Sequence, residues 1–231
     1  PMSRDKRACG AGKAVHLENN KLTEGHMLNN KGFDLWADDY DKSVGVSDED
    51  RTYPFAGYKD ILNKICSNVL AQSGKVVLDI GFGTGILTSK LYENGCHIYG
   101  QDFSNKMIEL AYEKMPNAKL FQGDFSVGLA DELVQNRYDA IIATYSLHHL
   151  TDMQKIDFLN MLITLLNDEG CIYIGDVAFK TRKDMELCKM QMGNEWDDDE
   201  IYFVFNELKE HFSQLEFEQV SYCAGVLYLK R

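Results

Sequence analysis

The sequence predicts an α/β protein: a seven-stranded, mostly parallel sheet with helices on both faces, an antiparallel C-terminal hairpin and a small N-terminal helical cap or lid. Three observations carry this. Between Lys75 and Val177, short apolar, β-branched runs alternate with stretches of helical spacing, as parallel strands buried on both faces require. A glycine-rich turn, Gly81-Phe82-Gly83-Thr84-Gly85, joins the first such run to the helix after it. Near the C-terminus two extended runs, Phe217 to Cys223 and Val226 to Leu229, flank Ala224-Gly225 and read as a hairpin supplying the sixth and seventh strands.

Taken in order, Pro1 to His26 is polar and without periodicity, and Gly25-His26-Met27 resembles a cloning junction. Residues 1–26 are therefore expected to be an expression tag, with Met27 the natural start. Phe33, Trp36, Ala37 and Tyr40 recur at i, i+3, i+4 and i+7 among aspartates, which predicts a short amphipathic helix. A polar loop over 43–53 precedes Pro54, expected to open a longer helix with Phe55, Tyr58, Ile61, Leu62, Ile65 and Val69 as its buried stripe. Lys75 to Ile80, Cys96 to Gln101, Ala118 to Phe121, Tyr138 to Tyr145 and Cys171 to Val177 read as the five parallel strands. Ser104 is the expected N-cap of the helix after the second. Helices are further expected over 127–135, from Thr151 through Leu166 with Gly170 closing it, and over 201–212. The pattern weakens between Ala178 and Asp199, where Trp196 stands beside three aspartates and reads as part of a solvated acidic loop or of a pocket wall.

Composition narrows the function. At 231 residues with 45% hydrophobic content the chain can bury one α/β core. Its formal net charge of -12 argues against a nucleic-acid partner, which needs a basic footprint. No apolar run approaches the roughly 20 residues of a membrane span. The six cysteines form no C-x-x-C pair and read as reduced thiols of a cytoplasmic protein.

The glycine turn and the acids after it carry the chemistry. Glycine takes positive φ without cost and lets the backbone lie against a ligand, and the following helix offers free N–H groups to a carboxylate or phosphate. A dinucleotide fingerprint would be G-x-G-x-x-G, but here the third glycine comes one residue early, at Gly85. Asp79 is the acid that precedes the turn, next to the last residue of the first strand. Asp102, at the next strand end, can accept hydrogen bonds from both hydroxyls of a ribose. Asp124, after the third, can accept from an adenine amino group, with Phe103 and Phe125 as candidate flanking rings.

G-x-G-x-G preceded by an acid, with these two later acids, resembles the class I S-adenosylmethionine-dependent methyltransferases. From about Phe33 to Arg231 the chain is more narrowly similar to the YrrT-type group of bacterial methyltransferases. The resemblance rests on Phe33-Asp34-Leu35-Trp36-Ala37-Asp38-Asp39-Tyr40-Asp41, Phe55-Ala56-Gly57-Tyr58, the glycine turn, Gly123-Asp124-Phe125 and Ser146-Leu147-His148-His149-Leu150-Thr151-Asp152. It implies a Rossmann-like sheet with S-adenosyl-L-methionine as cofactor and S-adenosyl-L-homocysteine as product. It implies cofactor positions at Gly81, Asp102 and Asp124, with Gly83 and Gly85 completing the loop and Tyr145 facing the methyl donor. Tyr40 matches a tyrosine that reaches over the cofactor as part of a lid. The fourth strand ends Ala143-Thr144-Tyr145-Ser146 rather than in the N/D-P-P-Y motif of nucleobase amino-methyltransferases. Residues 27–231 then form one domain: cap helices over 27–72, a cofactor-binding core over 73–178, an acceptor-side insertion over 179–212 and the hairpin over 213–231.

Methyl transfer from a sulfonium is an in-line displacement on an activated donor, so positioning is expected to supply most of the rate. His148 is the candidate catalytic residue, because histidine titrates near neutrality and the resemblance puts this strand end by the donor; a hydrogen-bonding role in the loop is the alternative. No metal site is read, since the His148-His149 pair has no carboxylate at ligand spacing in the sequence. Asp79 either orients the loop through backbone N–H groups or meets the donor's ammonium. The partner expected is a small-molecule acceptor, with no nucleic acid or membrane, and the protein a monomer or homodimer. The alternatives are an NAD(P)-dependent oxidoreductase and a non-catalytic S-adenosylmethionine-binding protein.

Overall fold

The computed structural model describes residues 52–231. At its centre lies strand β1 (Val76–Ile80), with β2 (His97–Asp102) and β3 (Lys119–Gln122) on one side and β4 (Tyr138–Thr144) and β5 (Leu166–Phe179) on the other. These five run parallel. A two-residue strand β6 (Phe203–Val204) pairs with the end of β5, and β7 (Leu215–Gln219) and β8 (Ala224–Lys230) form an antiparallel hairpin. The hairpin joins the sheet through an antiparallel β5–β8 pairing, giving the order β3-β2-β1-β4-β5-β8-β7. The seven expected strands make up that path, and β6 is an eighth off it.

The period-2 alternation of the strands builds two cores. In β4, Ala140 and Ile142 point into one and Ile141 and Ala143 into the other. The first is covered by α1 (Tyr58–Ala71), α2 (Ile86–Glu93) and α3 (Asn105–Lys114), through Ile61, Ile65, Leu87, Leu91 and Ala111. The second is covered by α4 (Asp131–Val134), α5 (Asp152–Thr164) and α7 (Phe205–Lys209), through Leu133, Leu159, Leu162 and Leu208. Each of these leucine and isoleucine side chains contributes about 1.5–3 kcal/mol on full burial.

Helix starts follow their caps. Ser104 Oγ accepts from the Met107 N–H at 3.2 Å, as expected, and Thr151 with Gln154 forms a capping box on α5. Elsewhere boundaries move. Pro54 lies in a turn and α1 opens only at Tyr58, after Gly57 at φ 84. The helix expected over 127–135 shrinks to four residues, and β5 starts at Leu166 and takes in Gly170 rather than leaving it as a helix end. The 201–212 stretch splits into β6 and the five-residue α7. Conversely, the weakly patterned 178–199 stretch holds α6 (Arg182–Met192), started by a Thr181–Asp184 capping box and burying Cys188. Ala224 and Gly225 sit in β8, not in the hairpin turn. No helix among the described residues is long and apolar enough to cross a membrane. The expected tag over 1–26 and the Phe33–Tyr40 helix lie outside the described residues.

Candidate active site

The strand order reverses at β1, whose neighbours β2 and β4 lead the chain away to opposite edges. Ligands of such sheets sit at the carboxyl ends of the strands at that reversal, and the glycine loop follows β1 there. Gly81, Gly83 and Gly85 adopt φ of 69, 55 and 74°, which non-glycine residues reach only with strain. Contact explains Gly81 as well: a Cβ on it would lie 2.6 Å from Ser146 Cβ. Ser146, just past β4, is fixed by donating its Oγ–H to the Ile80 carbonyl at 2.8 Å. Gly83 is the reverse case, with nothing within 4 Å of an added Cβ. The loop thus abuts β4 at Gly81 and opens to free space at Gly83.

Asp102, the last residue of β2, is 7% exposed. Its carboxylate accepts the Gly83 N–H and the Ser104 N–H, at 2.8 and 2.9 Å. The predicted ribose acid therefore also ties the glycine loop to the start of α3. Asp79 behaves differently from the loop-orienting reading. Its Oδ2 accepts from the Thr88 hydroxyl of α2, and the loop amides go elsewhere: Gly81 N–H to the Gln101 carbonyl, Gly83 N–H to Asp102, Gly85 N–H to the Phe82 carbonyl. Asp79 Oδ1 is buried without a hydrogen-bond partner among the described residues. Burial pushes this carboxyl up to about 7, the Thr88 hydroxyl opposes that, and the Asp102 charge adds to it.

Asp124 is half-buried and its Oδ1 accepts the Ser126 N–H at 2.8 Å, the Asx-turn geometry. Phe125 packs against Phe158 of α5 with ring centroids 5.9 Å apart, and its Cε1 would lie 3.5 Å from a Cβ on Gly81. Phe103 is half-buried, and its carbonyl accepts from Gln122 Nε2. Gln101, which sequence reasoning passed over, braces this side. Its buried amide donates to the Gly128 carbonyl and accepts the Ala130 N–H, at 2.9 and 2.8 Å, so it holds the loop carrying Asp124 and Phe125. A polar side chain next to the last position of a buried strand was the available signal.

Tyr145 leaves β4 at φ 50, the one non-glycine residue at positive φ among the described residues. Such strain persists where surrounding packing imposes it and clusters at functional sites. Here the packing is Phe55 and Tyr58, with centroids at 5.2 and 5.3 Å.

Beyond it, Leu147–His149 forms a single 3-10 turn rather than an extended segment, burying His148 and leaving His149 exposed. His148 Nδ1 lies 2.8 Å from Asp176 Oδ1 of β5, and Nε2 lies 3.3 Å from Glu200 Oε1. Burial alone would lower the imidazole's pKa, but the two carboxylates outweigh it and raise it above the ordinary value. Glu200 is held by the chain around it: Ile201 N–H donates to the His148 carbonyl at 2.8 Å, and buried Lys155 donates to the Ile201 carbonyl. Trp196 is packed rather than solvated, stacked on Tyr53 at 5.5 Å and edge-on to Tyr202 at 4.9 Å, while Asp197, Asp198 and Asp199 stay exposed. The structure therefore gathers Asp79, Gly81, Gly83 and Asp102 around the loop, and sets Tyr145 and His148 just past the end of the neighbouring strand β4. Asp176 and Glu200 join His148 from strands and loops far along the chain. Tyr40 lies outside the described residues.

Residues 77–170 match the methyltransferase domain family. An uncharacterized methyltransferase of Anoxybacillus flavithermus is 42% identical over 154 residues, covering 67% of this chain and 69% of that protein. One from Alkaliphilus oremlandii is 32% identical over 184 residues, covering 79% and 81%. Among solved structures, a magnesium protoporphyrin IX methyltransferase from Synechocystis with bound SAH superposes with a TM-score of 0.64 at 19% identity, over 88% of this chain and 96% of that one. A DhpI–SAH complex gives 0.63 at 17% identity, over 87% and 94%. The chain belongs to the S-adenosylmethionine-dependent methyltransferases of the Rossmann-like class. Its cofactor is S-adenosylmethionine, and the oxidoreductase alternative falls away. The residues present fit that cofactor: the partnerless buried oxygen of Asp79 suits its ammonium, and the open face of Gly83 gives its backbone room to approach.

Proposed function

We propose that this methyltransferase acts on a small-molecule acceptor and draws its rate mainly from positioning. The observation that carries the reading is the Asp102 carboxylate, which holds the Gly83 amide and faces the crevice end of β2, so that ribose recognition and loop geometry are one unit. The bound cofactor supplies an already activated methyl group. Asp102 takes the ribose, Asp124 the adenine amino group, and Phe103 and Phe125 flank the base. Asp79 meets the ammonium, and Gly81, Gly83 and Gly85 line the tail. Tyr145 borders the methyl position, and Tyr40 serves as a lid residue. On the acceptor side stands His148. A proton released by the acceptor has the His148–Glu200 pair to take it, since the two groups lie 3.3 Å apart. Alignment of this kind is worth roughly 7–11 kcal/mol in well-oriented reactions, and proton transfer adds typically about 10²–10⁴-fold. The acidic chain and the exposed Asp197–Asp199 run favour a neutral or cationic acceptor. Five free thiols among the described residues suit the cytoplasm.

Calorimetry with S-adenosylhomocysteine and a methylation assay over a metabolite panel, on protein lacking residues 1–26, test this. Turnover of a small acceptor supports it; cofactor binding with turnover only on protein or RNA overturns the acceptor class. Asp102→Ala is expected to weaken S-adenosylhomocysteine binding at least about tenfold, because two ribose hydroxyls and two backbone amides lose their acceptor. Asp102→Asn, which keeps an acceptor oxygen, should lose less. Unchanged affinity in Asp102→Ala would remove Asp102 from the cofactor site.

A further inference from the structure

His148, His149 and Glu200 place one ligand atom each within 4.8 Å of one another. We propose that these three side chains hold a single divalent transition-metal ion on the acceptor side of the crevice. Four features of the site support this. Two imidazoles and a carboxylate form the donor set of many catalytic zinc sites, which keep a fourth position open. Ligands bound tetrahedrally at about 2.0–2.1 Å lie roughly 3.3–3.4 Å apart, and His148 Nε2 and Glu200 Oε1 are already 3.3 Å apart. The far nitrogen of His148 faces the carboxylate of Asp176, fully buried, at 2.8 Å. A carboxylate behind the imidazole is the brace that fixes a ligating histidine's tautomer and ring orientation. Asp176 is itself oriented, since its Oδ1 also accepts the Val177 N–H at 2.8 Å.

Rigidity separates this cluster from a chance meeting of surface acids. His148 is 6% exposed. Glu200 is carried by a segment pinned at Ile201 from two directions, by the His148 carbonyl and by Lys155. His149, on the same 3-10 turn, is exposed and gives an ion a way in from solvent. Nitrogen-rich donors favour zinc, cobalt(II) or iron(II) over magnesium or calcium, which take oxygen shells. With a metal ion bound, His148 Nε2 and Glu200 are its ligands and no longer the proton acceptor proposed above. The open ligand position would then be available to an oxygen, nitrogen or sulfur atom of the acceptor; that last clause rests on the methyltransferase reading above, whereas the metal site does not.

The test is cobalt(II) binding by the full chain after chelator treatment, followed by equilibrium dialysis and visible absorption. Expected are one tightly bound equivalent, a visible band of a low-coordinate cobalt site and competition by zinc. His149→Ala and Glu200→Gln should each weaken the cobalt affinity at least about tenfold while circular dichroism stays that of the folded protein. Because the chain carries six histidines, these variants, rather than stoichiometry alone, assign the site. No cobalt band at millimolar metal, or binding undiminished in both variants, overturns the proposal. S-adenosylhomocysteine calorimetry on the same samples separates the two readings. Cofactor binding without cobalt binding rejects the metal site alone; cobalt binding without cofactor binding rejects the proposed cofactor site and leaves the metal site standing.

Discussion

Gly81→Ala is expected to cost both stability and cofactor affinity, while Gly83→Ala costs mainly affinity. At Gly81 the backbone holds φ 69, a region that costs a residue with a Cβ about 1–2 kcal/mol. The new methyl would also stand 2.6 Å from Ser146 Cβ, far inside the 3.5–4.0 Å of a normal carbon contact, and overpacking of this kind costs typically about 1–3 kcal/mol. Ser146 cannot easily yield, since its hydroxyl is tied to the Ile80 carbonyl and it is 6% exposed. The loop must move instead, and it carries the Gly83 amide away from Asp102. Together the two costs come to about 2–5 kcal/mol, a fall in melting temperature of roughly 4–20 °C at about 2–4 °C per kcal/mol. Affinity for S-adenosylhomocysteine should fall at least about thirtyfold. Gly83 has the strain without the clash, as nothing lies within 4 Å of its added Cβ. That methyl would project into the open space assigned above to the cofactor by proposal, so its melting temperature should drop only about 2–8 °C while affinity still falls. Differential scanning calorimetry and titration calorimetry on both variants check the contrast. Equal melting losses would mean that Ser146 does not confine Gly81; full affinity in Gly83→Ala would mean that the open face of the loop is not the ligand face.

Where the fold could be read from the chain, the signal was local. β1 and β4 are apolar at nearly all their buried positions, Asp79 being the exception in β1, and the strand–glycine–helix turn lies between Ile80 and Ile86. Asp102 stood out because an acid at a strand end after a glycine loop has a restricted set of uses. α6 was missed because its apolar residues do not fall on one stripe, Leu187 and Met190 being exposed while Cys188 is buried; the capping box at Thr181 and Asp184 and the burial of Cys188 hold it. The 201–212 stretch misled for the opposite reason. Its apolar residues suit a helix, yet Phe203 and Val204 pair with the end of β5, and Phe203 helps close the second core. Asp176 and Glu200 were invisible as partners of His148, because a contact between β5, a loop past α6 and the turn after β4 is a property of topology rather than of spacing. The acid in the apolar run Tyr173–Val177 was nevertheless a clue, since a buried carboxylate requires a partner.

Asp79→Asn should make the protein more stable above neutral pH and a poorer binder of its cofactor. Asp79 is 1% exposed and burial holds its carboxyl at about 7, against 3.8 in an unfolded chain. Between those values the folded state keeps a proton that the unfolded state has lost, so stability falls as pH rises from about 4 to about 7. A shift of about three pKa units corresponds to an effect on the order of 4 kcal/mol. The amide carries no charge at any pH in this range and still offers Thr88 an acceptor oxygen. The variant should therefore match the wild type below about pH 4 and exceed it by a few kcal/mol near pH 8. Binding runs the other way. A cofactor ammonium beside the partnerless Oδ1 favours the ionised carboxylate, and bound S-adenosylhomocysteine should flatten the pH dependence of wild-type stability. Removing that charge should lower affinity at least about tenfold at pH 8, and less at pH 6, where the wild-type carboxyl is largely protonated. Urea unfolding across pH, with and without S-adenosylhomocysteine, measures both effects on one pair of proteins. A variant no more stable at pH 8 would show that Asp79 ionises freely in the fold. Equal affinities at pH 8 would place the ammonium elsewhere and leave the Oδ1 atom without a ligand to explain it.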